Sequence, residues 1–160
     1  MPNGSNRQSG FTYLTILFVI AVAGVLLAQI GINWTQASQR EKEAELLFVG
    51  NQYRQAIMLY YERTPGPIKR YPASLEELVT DNRYNPPQHY LRKLYRDPIT
   101  NSTEWGLVAA PAGGIMGVYS LSEKAPLKVA GFSVLNADFE GKGRYSEWKF
   151  EYVSPFAVSK

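Results

Sequence analysis

From Phe11 to Ile32 the chain runs 22 residues with no ionisable side chain other than Tyr13. A short polar stretch, residues 1–10, precedes the run and carries Arg7 as its single charge. Thirteen of the 22 are Phe, Leu, Ile or Val. As a helix rising about 1.5 Å per residue, the run covers the roughly 30 Å of a bilayer's hydrocarbon core. At about −0.3 to −0.6 kcal/mol each, the large apolar side chains favour insertion by at most about 4–8 kcal/mol. The pattern predicts a single membrane-spanning helix over 11–32, with Arg7 on the cytoplasmic side and the remainder of the chain across the membrane.

The helix is expected to continue past the membrane. Trp34 stands where an interfacial aromatic would, and no proline occurs between it and Pro65. Residues 33–62 are rich in helix formers. Leu46, Val49, Tyr53, Ile57 and Tyr60 recur at spacings of 3, 4, 4 and 3, an apolar stripe one face wide. Arg40, Lys42, Glu43 and Glu45 are assigned to the opposite face. Thr64-Pro65-Gly66-Pro67 ends the helix.

Beyond it, residues 63–160 predict one small α+β domain. Ser74 is expected to cap a short helix whose first turn holds Glu76 and Glu77. Residues 104–109, 116–121, 127–132 and 146–153 read as strands, with Ala112-Gly113-Gly114 as a hairpin tip and Gly141-Lys142-Gly143 as a loop. In the last run Trp148, Phe150 and Tyr152 alternate with Glu147, Lys149 and Glu151, giving one apolar face. An antiparallel sheet with one apolar face needs a cover, and the Leu46–Tyr60 stripe supplies it. The expected fold is therefore a long N-terminal helix, half transmembrane and half amphipathic, packed on a small antiparallel sheet.

Charge and composition narrow the function. The 160 residues hold 17 Lys and Arg against 14 Asp and Glu, a net charge of +3. The cations are scattered rather than clustered, which argues against nucleic acid as a partner. The absence of cysteine removes disulfides, thiol nucleophiles and Cys-based metal sites. Eleven Tyr and three Trp suit a small domain that buries amphipathic aromatics and meets neighbours.

The junction Gly10-Phe11-Thr12, opening an apolar helix that later holds Gly24-Val25-Leu26, resembles the start of type IV prepilins and type II secretion pseudopilins. The resemblance implies a pilin-like fold and a peptidase that cuts after Gly10 and N-methylates Phe11. It implies a non-enzymatic subunit of an inner-membrane-based fibre, in type II secretion or pilus machinery. Its partners would be other pilin or pseudopilin subunits, the prepilin peptidase, an assembly platform and membrane lipid. Its address would be the bacterial inner membrane, with the C-terminal domain periplasmic. Within a helical bundle of such subunits, Ala21, Gly24, Ala28 and Gly31 would permit close helix approach. The order Tyr71-Pro72, Leu75-x-x-Leu78, Tyr90-Leu91, Asp97-Pro98 resembles the shaft-forming pseudopilins. Ile99-Thr100 stands where that class has a tryptophan, and Trp105 follows only later. The family's glutamate four residues after the new N-terminus is replaced by Thr15, which fits a minor or tip-proximal subunit better than the repeating one.

Two plainer readings use the same residues. An uncleaved signal anchor needs only the apolar run. An ordinary secretory signal would use Ala21-Val22-Ala23 for cleavage, although the apolar run continues past it to Ile32. Either leads to a membrane-anchored or secreted binding module that never polymerises. Candidate chemistry is sparse. His89 is the single histidine and sits in a polar loop, with no second ligand or triad partner nearby. Glu76 and Glu77 are adjacent on a helix and diverge. Asp138 and Glu140, beside Gly141, are weak candidates for calcium, an ion that shaft pseudopilins bind in a C-terminal loop; a solvated turn is the alternative.

Overall fold

The computed structural model describes the backbone of residues 9–155 and the side chains of 11–24 and 35–155. Helix α1 (Ser9–Glu62) is followed by α2 (Glu76–Val79), β1 (Gly106–Ala109), β2 (Ile115–Tyr119) and β3 (Phe150–Glu151). Two 3-10 segments, Val134–Phe139 and Tyr145–Glu147, lie between β2 and β3. The class is α+β with a three-stranded antiparallel sheet in the order β1-β2-β3. The chain divides into two compact units, residues 1–38 and 39–160.

In the first unit the described side chains of the apolar run face solvent, with Phe11 78% and Phe18 70% exposed. Among the described residues, no helix is long and apolar enough to cross a membrane. The run expected to span includes residues 25–32, whose side chains lie outside the described set, as do residues 1–8 of the expected leader 1–10.

In the second unit the expected stripe is the core. Leu46, Val49, Tyr53, Ile57 and Tyr60 are all buried, and they meet Trp148 and Phe150 from the sheet side. Burying an aliphatic or aromatic side chain of this size stabilises by about 1.5–3 kcal/mol. The core extends into an aromatic stack absent from the sequence expectation. Phe139 lies parallel on Trp148 at 5.6 Å, and Phe132 meets both rings edge-on. Gly50 admits this cluster: the Phe150 ring occupies the space a Cβ on Gly50 would need. A glycine that interrupts the helical stripe is thus the notch that seats the sheet.

The hairpin β1–β2 forms where expected. Gly113 and Gly114 take φ of +90° and +85°, and the Ala110 amide donates to the Gly114 carbonyl at 2.9 Å. Any side chain on Gly114 would also press on the carbonyls of Tyr71 and Pro72. Strand β3 pairs Phe150 with Val118 and Glu151 with Gly117.

Three local expectations need correction. Residues 127–132 are not a strand; the Leu127 and Lys128 amides go to Glu43 of α1 and the Val129 carbonyl accepts the Gly141 amide, rather than pairing with a sheet edge. The strand expected over 146–153 shrinks to Phe150–Glu151 because the Glu147 carboxylate turns back to accept the amides of Gly143 and Arg144, at 2.8 and 3.2 Å. Alternation survives, with Trp148 and Phe150 buried and Lys149 exposed, while Tyr152 is only half-buried at the margin. Ser74 does not cap α2: Leu75 occupies that position in helical conformation, and the Ser74 side chain hydrogen-bonds Glu76 instead.

Candidate functional site

Residues 39–62 of α1 are fixed to the rest of the second unit by three polar attachments, two built on side chains of the helix and the third on loop side chains that reach its last turn. At one end is Glu43, 3% exposed. Its carboxylate accepts the Leu127 amide at 2.5 Å, the Lys128 amide at 3.2 Å and the Tyr145 hydroxyl at 2.8 Å. Gln39, one turn earlier, donates to the Tyr145 hydroxyl at 2.9 Å and the Ala125 carbonyl at 3.3 Å. The assignment of Glu43 to the solvent face is therefore wrong. Glu43 precedes Leu46 by three residues and continues the buried stripe. Burial, together with the Glu43 carboxylate, pushes the Tyr145 phenol up to about 12.

In the middle, Tyr53 holds Tyr95 by its backbone. Its hydroxyl accepts the Tyr95 amide at 2.9 Å and donates to the Tyr95 carbonyl at 3.2 Å. That carbonyl also receives the Trp105 indole N–H at 2.9 Å. Burial raises the Tyr53 phenol to about 12. Next to it Arg54 donates to the Leu135 carbonyl at 2.5 Å and to the Asn136 amide oxygen at 3.0 Å. Its guanidinium lies over Phe139 and Phe150, at 5.8 and 5.6 Å from the ring centres, and burial lowers its pKa.

At the helix's C-terminal end, Asp81 and Arg83 form a bidentate pair of 2.8 and 2.7 Å, with Asp81 2% exposed. Arg83 stacks 3.6 Å from the centre of the Tyr60 ring and donates to the Thr64 hydroxyl and the Tyr60 carbonyl. Lys69 donates to the carbonyls of Glu62 and Thr64 at 2.7 and 3.0 Å. Two cations thus satisfy last-turn carbonyls that have no partner within the helix, and both complement the negative end of its dipole. Burial works to raise the Asp81 carboxyl, but the hydrogen bonds and charge of Arg83 hold it below its usual range.

The assembly-helix candidates are placed in part. Thr15 is exposed, and its hydroxyl donates to the Phe11 carbonyl at 2.9 Å. Ala21 and Gly24 are exposed, with no atom within 4 Å of a Cβ built on Gly24. The surroundings of Gly10, Ala28 and Gly31 lie outside what the structure describes. Asp138 and Glu140 are both exposed, on either side of buried Phe139. Among the described residues no group of three or more His, Asp or Glu is placed to hold a metal ion. His89 is exposed, with Nδ1 2.5 Å from the Val79 carbonyl oxygen.

Among the surface clefts along α1, two lie beside its middle. One, of about 620 Å³, is lined by Lys42, Glu45, Val49 and residues 93–98. The other, of about 450 Å³, is lined by Arg54, residues on the Val134–Phe139 segment, and charged side chains near β3. No family model, curated protein or solved structure matches this chain.

Proposed function

We propose that this chain is a pilin-like structural subunit, cut after Gly10, methylated on Phe11 and drawn from lipid into a helical fibre. The Gly10-Phe11-Thr12 junction at the head of 22 uncharged residues carries this reading. A plain anchor has no use for that tripeptide. The exposed apolar side chains from Phe11 to Val22 support it, since such a surface needs either lipid or like helices to cover it. So do the three attachments, which bind a load-bearing helix to its domain.

A second reading, a membrane-anchored periplasmic binding module, is favoured by one observation. Thr15 stands where the family's glutamate would pair with the N-terminal ammonium of a neighbouring subunit, so it offers no counter-charge, and its hydroxyl proton is given to its own helix. The N-terminal mass of the mature protein, from cells that have a prepilin peptidase, separates the two. A start at Phe11 with one added methyl supports the fibre subunit. A start at Met1 or near Gly24 overturns it in favour of the module.

A further inference from the structure

The two flanks of α1 carry surfaces of opposite character. Glu45 lines the larger cleft and Arg54 borders the other; nine residues apart, they project about 180° apart around the helix. The Glu45 flank is basic over an apolar floor. Lys42, Lys93 and Arg96 are exposed, with Leu94 and half-buried Tyr95 and Pro98 between them. Among the described residues none of these three cations is in an ion pair. Of the two carboxylates in the cleft, Asp97 is fully buried and engaged by the Ile99 amide and the hydroxyls of Thr100 and Ser120, which leaves Glu45 as the opposing charge.

The Arg54 flank bears a protruding 3-10 segment. Val134 is 96% and Leu135 71% exposed, and Asp138 and Glu140 are exposed just beyond them. Arg54 reaches under the segment to the Leu135 carbonyl and the Asn136 amide oxygen, and its charge acts on Asp138, which leaves Glu140 as the carboxylate farther along the tip. Lys142 and Lys149 are the exposed cations of the same cleft. An apolar tip with two carboxylates is the complement of an apolar floor rimmed by three cations.

We infer that the Val134–Glu140 tip of one copy seats in the Lys42–Lys93–Arg96 cleft of the next. The inference rests on the fibre reading and names the contact between domains. Because the two surfaces are different and lie on opposite flanks, the contact is heterologous and propagates instead of closing a dimer. It brings like copies together, and so supplies between domains the charge pairing that Thr15 withholds between N-terminal helices.

The cysteine-free sequence makes the test direct. Full-length Leu135→Cys and Lys93→Cys chains are co-expressed, differently tagged, in cells with a prepilin peptidase, and treated with a short bis-maleimide. A parallel pair carries Ile20→Cys in both copies. The expected result is a mixed Leu135–Lys93 product that Asp138→Lys with Glu140→Lys lowers by about tenfold and Lys42→Glu with Arg96→Glu restores. Restoration also excludes misfolding as the cause of the loss. Insensitivity to charge reversal, or a Leu135–Leu135 product in its place, overturns the inference. Cross-linking at position 20 alone overturns it and leaves the fibre reading standing. No product at either position overturns both.

Discussion

The Tyr145 hydroxyl donates to the Glu43 carboxylate at 2.8 Å across 102 residues of chain, and both side chains are buried. The same carboxylate takes the Leu127 and Lys128 amides, so one helix residue holds two separate stretches of the domain. Glu43→Ala deprives one buried and two part-buried donors of their acceptor and is expected to cost about 3 kcal/mol, whereas Tyr145→Phe, which removes one donor, costs about half as much. Urea unfolding of the two variants checks the order. A loss below about 1 kcal/mol for Glu43→Ala would show that the attachment is dispensable.

Gly50 reverses the usual rule for helices. On propensity alone Gly50→Ala gains about 1 kcal/mol. Here the new methyl meets the Phe150 ring, and overpacking of this kind costs about 1–3 kcal/mol. Thermal unfolding is expected to show a lower Tm; a higher one would mean that Phe150 yields without cost.

Arg83 and lysine are not equivalent at this site. Lysine cannot reproduce the two-pronged pairing with Asp81 while covering the Tyr60 ring. Arg83→Lys is expected to destabilise by about 2 kcal/mol, and Arg83→Met by more, because Asp81 stays buried without its counter-charge. Asp81 titrates lower when folded than its ordinary 3.8, so the stability it contributes is complete above that value and lost as pH falls through the depressed one. Removing Arg83 should flatten this acid limb in a pH series of unfolding midpoints.

The alkaline limb has the opposite sign. Tyr53 and Tyr145, both fully buried, titrate near 12 against an ordinary 10.0. Their stabilisation is complete below pH 10 and drains as pH rises toward 12, at up to about 1.4 kcal/mol per pH unit for each. Tyr145→Phe should shed its share of that slope. An equal slope in the variant would place the loss elsewhere.

Fibre assembly makes a demand on the N-terminal helix that domain folding does not. Ala28→Glu puts a charge into the proposed helical bundle, and it is expected to keep the chain out of sheared fibre fractions while leaving the domain's near-ultraviolet spectrum unchanged. Normal incorporation would count against close packing along Ala21, Gly24 and Ala28.

Much of the second unit is legible in the sequence because its signals are local. The 3-4-4-3 spacing of apolar residues marks the buried face of α1, Pro65 and Pro67 follow its end at Glu62, and paired glycines mark the hairpin. What escapes is polar or distant. Glu43 is misplaced because charge outweighs position, although its spacing from Leu46 points inward. Residues 127–132 have strand composition, but β-structure needs an edge to pair with, and here Glu43 takes the amides instead. Phe132 and Phe139 join Trp148 only once two irregular segments have folded back, which no periodicity announces. The Asp81–Arg83 pair sits among loop residues whose target, the end of a helix, is named only by the fold.

Glu43 grips residues 127 and 128 by their main-chain amides, and this makes the attachment indifferent to side-chain identity. Proline is the substitution it forbids, since proline brings no amide hydrogen. The exposed side chains of Leu127 and Val129 can therefore diverge without releasing the segment that carries them. A fold anchored in this way keeps its scaffold constant while its surface text is rewritten, and variation among relatives should concentrate where the backbone, not the side chain, is held.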